Sequence, residues 1–133
     1  MFAMTLANIS TTKAQLSGQD EEGVTLFVEF TFDEKDMDTA LDLLSEMQMQ
    51  VLENEEGCIA YDLLMSDDAP NKVFIYESYE NKDALNKHNN SPYFKDIVKQ
   101  KLPKYIKDSK IITMYPLNQD SGDDGEGESD NEV

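Results

Sequence analysis

The chain has 133 residues, of which 28 are acidic and 11 are basic, so its net charge at pH 7 is −17. This length suits one domain, because a single core of this size buries about two thirds of the surface of the unfolded chain. The negative charge opposes binding to nucleic acid or to an anionic membrane surface, since both carry charge of the same sign. We therefore expect neither nucleic acid nor a membrane among the partners.

Cysteine content and the start of the chain do not imply an oxidising compartment. Cys58 is the single cysteine, so an intrachain disulfide is excluded. The first residues lack the basic segment and apolar run of a secretory signal, and no stretch approaches the ~20 apolar residues that span a bilayer. These features predict a cytoplasmic protein.

The two ends of the chain differ in composition from the middle. Residues 1–22 show no sustained hydrophobic period and end in a polar run, which predicts a flexible arm. Residues 118–133 combine Gly, Ser and acidic residues with no aromatic residue, a composition that buries too little apolar area to fold. We predict a disordered acidic tail there, with docking of a basic partner protein as the alternative role. Residues 23–117 are the predicted folded domain.

Hydrophobic periodicity within the middle segment predicts a strand followed by a helix. Residues 24–32 alternate and place Val24, Leu26, Val28, Phe30 and Phe32 on one face. Apolar residues from Met37 to Leu52 then recur at helical spacing, with Asp36 as the predicted N-cap and Gly57 just past the end. This pattern is typical of an amphipathic helix of about five turns.

The second half of the domain predicts a hairpin, helical segments and a final strand. Residues 58–65 and 72–79 are strand-like and are separated by turn-forming residues. Asn81 is placed to cap a short helix, and Ser91 and Pro92 are typical of the start of another, which Pro103 should end or kink. Residues 111–115 form the last predicted strand.

The order β-α-β-β-α-β predicts an α+β, ferredoxin-like domain with a four-stranded antiparallel sheet and helices on one face. We assign Phe27 and Glu29 of the first strand, and Glu77 and Tyr79 of the third, to the other face of the sheet. This face mixes apolar and polar residues, which is expected where a partner covers it. A homodimer with two facing sheets is therefore predicted.

Three segments resemble the antibiotic biosynthesis monooxygenase family. They are EEGCIAYD at 55–62, FIYESY at 74–79, and His88 followed by SPYF at 91–94. The resemblance runs from about Val24 to about Leu117, and it implies a dimeric α/β barrel. Members of the family include cofactor-independent monooxygenases that act on polycyclic phenols, quinol oxygenases, haem-degrading enzymes and the isomerase that processes the phosphorylated autoinducer-2 signal.

Two positions indicate which branch of this family the sequence resembles. Tyr79 stands where many monooxygenase-like members carry Trp, and the run 75–94 is most similar to the autoinducer-2 isomerase branch. The haem-degrading branch is least similar, because Val98 occupies the place of its axial histidine.

Candidate site residues follow from chemistry and from the resemblance together. His88 is the only histidine, titrates near neutrality, and falls on the buried side of the short helix, so it is the predicted proton shuttle. Glu77 and Tyr79 share one strand face and are predicted to orient the substrate. The alternative for all three is a purely structural role. The predicted substrate-binding residues are Phe27, Glu29, Asp62, Tyr61 and Phe94, of which Tyr61 and Phe94 have core packing as the alternative.

No phosphate loop, flavin or nicotinamide fingerprint, or metal-ligand spacing is present in the sequence, so we predict neither a cofactor nor a metal. The resemblance implies a cofactor-independent monooxygenase acting on a small aromatic, quinol-type or dicarbonyl compound. An isomerase of a small dione, phosphorylated or not, is the first alternative, although the acidic balance disfavours a phosphorylated substrate. A non-catalytic, small-molecule-binding dimer is the second.

Overall fold

Four strands and several helical segments follow one another in the computed structural model, which describes residues 22–117. The predicted arm up to residue 21 and the predicted tail from residue 118 lie outside the described residues. The elements are strand β1 (Val24–Phe32), a 3-10 turn (Glu34–Asp36), helix α1 (Met37–Asn54), strands β2 (Cys58–Ser66) and β3 (Ala69–Tyr79), helix α2 (Lys82–Asn89), a π-helix (Phe94–Lys101), a second 3-10 turn (Leu102–Lys104) and strand β4 (Ile106–Met114).

The strands form one antiparallel sheet in the order β2-β3-β1-β4. The helices pack on one face of this sheet, which we call the helix face, and the opposite face is called the open face. This arrangement confirms the predicted α+β, ferredoxin-like βαββαβ fold. No helix among residues 22–117 has both the length and the apolar character needed to cross a membrane.

The core lies between α1 and the helix face of the sheet. Helix α1 contributes buried residues at spacings of three and four, which places them on one side of the helix. They are Ala40, Leu44, Met47 and Val51. Strand residues at every second position meet them, namely Val28, Phe30 and Phe32 of β1 and Val73 and Ile75 of β3. Alternation in the strands and helical periodicity in α1 thus produce one shared core.

The predicted helix starts are confirmed at two of three positions. The side-chain oxygen of Asn81 accepts a hydrogen bond of 2.8 Å from the backbone N–H of Ala84, which caps α2. The Ser91 hydroxyl accepts one of 3.2 Å from the N–H of Phe94. Asp36 stands at the N-cap position of α1, but its side chain makes no capping hydrogen bond.

Gly57 lets the turn after α1 approach α2 closely. A Cβ atom at this position would lie 2.6 Å from the Ala84 Cβ, a distance that real Cβ contacts do not reach. Only glycine therefore fits without displacing α2. This close approach brings the end of α1 next to the helix that carries His88.

Three predicted elements differ from the structure. Strand β3 begins at Ala69, three residues earlier than predicted. Strand β4 begins at Ile106, five residues earlier than predicted, because it is an edge strand that is exposed along nearly its whole length and needs no hydrophobic alternation. The segment after Ser91 continues from a short helical start into a π-helix rather than a regular α-helix. The predicted end near Pro103 is confirmed, since Pro103 lies in the closing 3-10 turn.

The predicted assignment of strand faces was wrong for β3. Antiparallel pairing sets Val24 opposite Tyr79 and Leu26 opposite Glu77, so Glu77 and Tyr79 share the helix face with the even-numbered residues of β1. Phe27 pairs with Tyr76 and lies on the open face instead. The predicted cavity therefore divides into two separate surfaces on opposite sides of the sheet.

Candidate functional site

A cavity of about 300 Å³ lies on the helix face, between the sheet and the segments that follow β3. Its walls are mostly apolar, and they are formed by Leu26, Val28, Phe30, Tyr61, Ile75, Glu77, Leu85, His88, Asn89, Phe94, Val98, Ile111 and Thr113. This volume falls at the lower end of the range typical of small-molecule sites. Two ionisable side chains in an apolar wall are the arrangement expected of a reactive site.

His88 is held between two carboxylates. It projects from α2 and is only 1% exposed. Its Nδ1 atom lies 3.1 Å from both carboxylate oxygens of Glu55, and its Nε2 atom lies 3.7 Å from Oε1 of Glu77. The rings of Tyr79 and Phe94 pack against the imidazole with centroids 5.1 Å away in each case. The imidazole is therefore fixed in orientation by both polar and aromatic neighbours.

The neighbours of His88 determine which nitrogen carries the proton. A carboxylate only accepts hydrogen bonds, so the Nδ1 atom facing Glu55 donates. Burial lowers the pKa of His88 from its usual 6.5, against the opposing effect of the Glu55 carboxylate. A neutral imidazole with a proton on Nδ1 has a free lone pair on Nε2. That lone pair is available to accept a proton at the cavity wall.

Glu77 has the chemistry of a carboxylic acid poised near neutrality. Its side chain is nearly buried, and burial raises its pKa from 4.5 to about 7 even though a hydrogen bond from Tyr79 opposes the shift. The Tyr79 hydroxyl donates this bond to Oε1 over 2.6 Å. Burial also raises the pKa of Tyr79, so the phenol keeps its proton and remains a donor. Glu77 can therefore hold or release a proton at neutral pH.

Glu55 and Tyr93 complete the cluster from outside the cavity. Glu55 follows the last residue of α1, and its Oε2 atom accepts a hydrogen bond of 2.5 Å from the Tyr93 hydroxyl. Burial, with the bond to Glu55, raises the pKa of Tyr93 to about 12, so this phenol is also a permanent donor. Two donors, from Tyr93 and His88, thus satisfy the Glu55 carboxylate.

The structure brings five of the eight predicted site residues together. His88, Glu77, Tyr61 and Phe94 line the cavity, and Tyr79 lies directly behind Glu77. Tyr79 is fully buried and is not part of the cavity wall, so it can act on a ligand only through Glu77. Their catalytic and binding roles remain predictions.

The other three predicted binding residues do not reach this cavity. Phe27, Glu29 and Asp62 lie on the open face, because pairing aligns Asp62 with Tyr76 and Tyr76 with Phe27. Glu29 forms a 2.5 Å ion pair with Lys72 there, and Phe27 stacks on Phe74 with ring centroids 5.7 Å apart. The expected proximity of Phe27 and Glu29 to Glu77 was wrong, because strand pairing places them on the opposite face of the sheet.

Glu55 and Tyr93 were missed as site residues, although both lie within segments that carry the family resemblance. Glu55 opens the segment at 55–62, and Tyr93 belongs to the SPYF segment. The family resemblance could therefore have identified both residues. Hydrophobic periodicity could not, because neither residue belongs to a pattern that predicts burial. Among residues 22–117, no three His, Cys, Asp or Glu side chains converge as metal ligands would.

The site thus combines a proton acceptor and a proton donor on the wall of an apolar, ligand-sized cavity. A cavity of this kind in a ferredoxin-like domain is large enough for a small molecule. The family model for "Antibiotic biosynthesis monooxygenase" matches residues 23–100. The chain belongs to this family.

Solved structures share the fold at low sequence identity. A Caulobacter crescentus protein that carries the family's name is 18% identical, with a TM-score of 0.69 over 79% of this chain and 99% of the other. A Bacteroides thetaiotaomicron protein, also carrying that name, is 21% identical with a TM-score of 0.67 over 74% and 93%. Rv0793 of Mycobacterium tuberculosis is 24% identical with a TM-score of 0.66 over 74% and 99%. No curated protein matches the chain significantly.

Proposed function

We propose that this protein is a cofactor-independent monooxygenase that oxidises a small, uncharged quinol-type compound in the cavity on the helix face. The observation that carries the proposal is the pairing of His88 with Glu77 on the wall of this mostly apolar cavity. A quinol or phenol fits such a wall with its ring, while its hydroxyl group meets the two ionisable side chains.

His88 serves as the general base in this reaction. Its Nε2 atom accepts the proton of a substrate hydroxyl, which makes the ring electron-rich enough to reduce O2. One oxygen atom then forms a bond to ring carbon, and the other leaves as water with two hydrogens from the substrate. The substrate supplies all four electrons, so the step balances without a further reductant. Protonated Glu77 donates a hydrogen bond to the oxygen on which negative charge develops.

The cavity lining disfavours a phosphorylated substrate. None of the described residues that line it is Lys or Arg, and a phosphate ester binds most readily where such donors are placed. An acid and base pair also suits proton transfer between carbons, so isomerisation of an uncharged dione is the competing reaction. It differs from oxygenation in that the mass of the substrate does not change.

Turnover of three compounds distinguishes these functions. Purified protein treated with a chelator is supplied with a hydroquinone, an unphosphorylated linear dione and its phosphorylated counterpart, and oxygen uptake is followed together with product mass. We expect oxygen uptake with the hydroquinone alone, and a product with one more oxygen and two fewer hydrogens. A moved carbonyl at unchanged mass would instead identify an isomerase, and binding of all three without conversion would identify a binding protein.

We further propose that the open face of the sheet is the interface of a homodimer. Large apolar side chains are exposed on this face in three of the four strands, at Leu64, Tyr76, Ile112 and Met114, beside the stacked Phe27 and Phe74. A continuous apolar surface of this kind marks a protein contact site. A second copy suits it because each sheet offers the same mixed surface to the other.

Replacing Tyr76 by Lys should convert this dimer into a monomer, because two charged groups would be buried near the centre of the paired sheets. The Tyr76 side chain is 38% exposed in the single chain, so the fold itself should tolerate the change. Sedimentation velocity measures the outcome, with Met49→Lys on the exposed side of α1 as the matched control. A wild-type chain that stays monomeric at high concentration would contradict the proposed interface.

A further inference from the structure

Glu55 lies in a wall between two openings of the molecule. It is one of the residues that line an outer groove of about 340 Å³, formed by the turn after α1 and by the start of α2. His88, to which it is hydrogen-bonded, lines the inner cavity instead. The Glu55 side chain is 10% exposed and that of His88 is 2% exposed. The pair therefore lies between the outer groove and the cavity on the helix face.

The geometry of the pair is that of a fixed dyad. The His88 Nδ1 atom lies at the same distance from both Glu55 oxygens, 3.1 Å, so it faces the middle of the carboxylate. The Tyr93 hydroxyl holds Oε2 from the other side, and Gly57 permits the close approach of the two backbones. Each of these two partners donates its hydrogen bond to the carboxylate.

We propose that Glu55 is the positioning residue of this site, which holds His88 as the tautomer protonated on Nδ1 and stabilises the imidazolium formed when Nε2 accepts a proton. The reaction step rests on the proposed function, whereas the tautomer does not. A carboxylate behind a histidine acts in this way because it fixes the ring and makes its free nitrogen more basic.

The other groups around His88 do not replace Glu55 in this role. Glu77 faces Nε2 from β3 at 3.7 Å, and burial favours its neutral form. Tyr61 of β2 and Tyr79 of β3 face the ring but keep their protons, because burial raises the pKa of both phenols. Tyr93 bonds to Glu55 rather than to the imidazole. Glu55 is thus the anion that faces the Nδ1 side.

Nitrogen NMR tests the tautomer without any substrate. His88 is the only histidine in the chain, so a long-range proton–nitrogen spectrum of labelled protein without a histidine tag contains a single imidazole. We expect a protonated Nδ1 and an unprotonated Nε2 in the wild-type protein at neutral pH. A proton on Nε2 would overturn the proposal, whatever the protein proves to catalyse.

The variant Glu55→Gln tests stabilisation of the imidazolium. Loss of the carboxylate should lower the pKa of His88 by about one unit or more, because an opposite charge at this distance shifts a pKa by about one to three units. Glu53→Gln, at an exposed position in the last turn of α1, should leave the titration unchanged. An equal titration in both variants would contradict the role of Glu55. His88 could stay neutral until the protein unfolds, or the Glu55→Gln variant could fail to fold. In either case the tautomer measured in the wild-type protein is the test of the proposal.

The pH dependence of turnover separates this inference from the proposed function. With an active substrate, the lower limb of the kcat profile should move to lower pH in Glu55→Gln, together with the NMR titration. A merely structural role would reduce kcat without moving that limb. Absence of turnover in the wild-type protein would overturn the proposed function and leave the measured tautomer as the test of Glu55.

Discussion

Replacing His88 by Gln is expected to lower kcat on a hydroquinone by about 10²–10⁴-fold, the usual contribution of a general base. The Gln side chain is of similar size and can still hydrogen-bond to Glu55, but its amide does not accept a proton. Since the base acts on bound substrate, KM should change much less than kcat. Steady-state oxygen uptake at several hydroquinone concentrations measures both quantities.

Lys87→Gln is the matched control for this loss, because Lys87 is the neighbouring residue on α2 and its exposed side chain pairs with Asp83. The control should keep the wild-type rate. Circular dichroism and the thermal midpoint of the His88 variant check that its fold is intact, since His88 is buried. A folded His88→Gln protein with wild-type kcat would remove His88 from the mechanism.

Glu77→Gln is expected to abolish a loss of about 3 kcal/mol in the free energy of unfolding that the wild-type protein undergoes as pH rises. In the wild-type protein the pKa of Glu77 rises from 4.5 to about 7 on folding. A raised pKa contributes stability that is fully present below pH 4.5 and is lost as pH rises through about 7, where the buried group must ionise. Each pKa unit corresponds to about 1.4 kcal/mol, so the total loss is about 3 kcal/mol.

The Gln variant has no acid to ionise and retains an oxygen that can accept the Tyr79 hydrogen bond. Its free energy of unfolding relative to the wild-type protein should therefore rise between about pH 5 and about pH 9. Urea unfolding at both values measures this difference. Glu80→Gln, an exposed acid just after β3, should show no such rise. A difference that is independent of pH would show that Glu77 is not a buried acid with a raised pKa.

The protonation of His88 and that of Glu77 together determine how activity should depend on pH. Burial lowers the pKa of His88, so the base form persists below pH 6.5, whereas the proton of Glu77 is lost as pH rises through about 7. Activity that needs basic His88 and acidic Glu77 should therefore be greatest on the acidic side of neutrality.

Local patterns predicted most of the fold because the elements concerned are half-buried. Alternation in β1 located both of its ends, from Val24 to Phe32, and the spacing of apolar residues located α1. Strand β4 was predicted too short because residues 107–110, which follow its first residue, are polar on both faces. An edge strand is held by backbone hydrogen bonds to its neighbour, so its side chains carry little signal.

The faces of the sheet were not predictable from periodicity alone. Both faces of β3 carry apolar residues, so alternation does not distinguish the side with Val73 and Ile75 from the side with Phe74 and Tyr76. Only the pairing of Val24 with Tyr79 decides this, and it joins residues far apart in the sequence. The same holds for the site residues. His88 was identified by its chemistry, whereas Glu55 reaches it only because the turn after α1 lies close to α2.

The most direct test of the proposed chemistry is turnover of a hydroquinone by chelator-treated wild-type protein under isotopically heavy O2, with His88→Gln and a protein-free mixture run in parallel. We predict a hydroxylated quinone that contains one heavy oxygen atom, formed at a rate that the wild-type protein alone supports. Product without heavy oxygen, or equal rates in all three mixtures, would contradict oxygenation in this cavity.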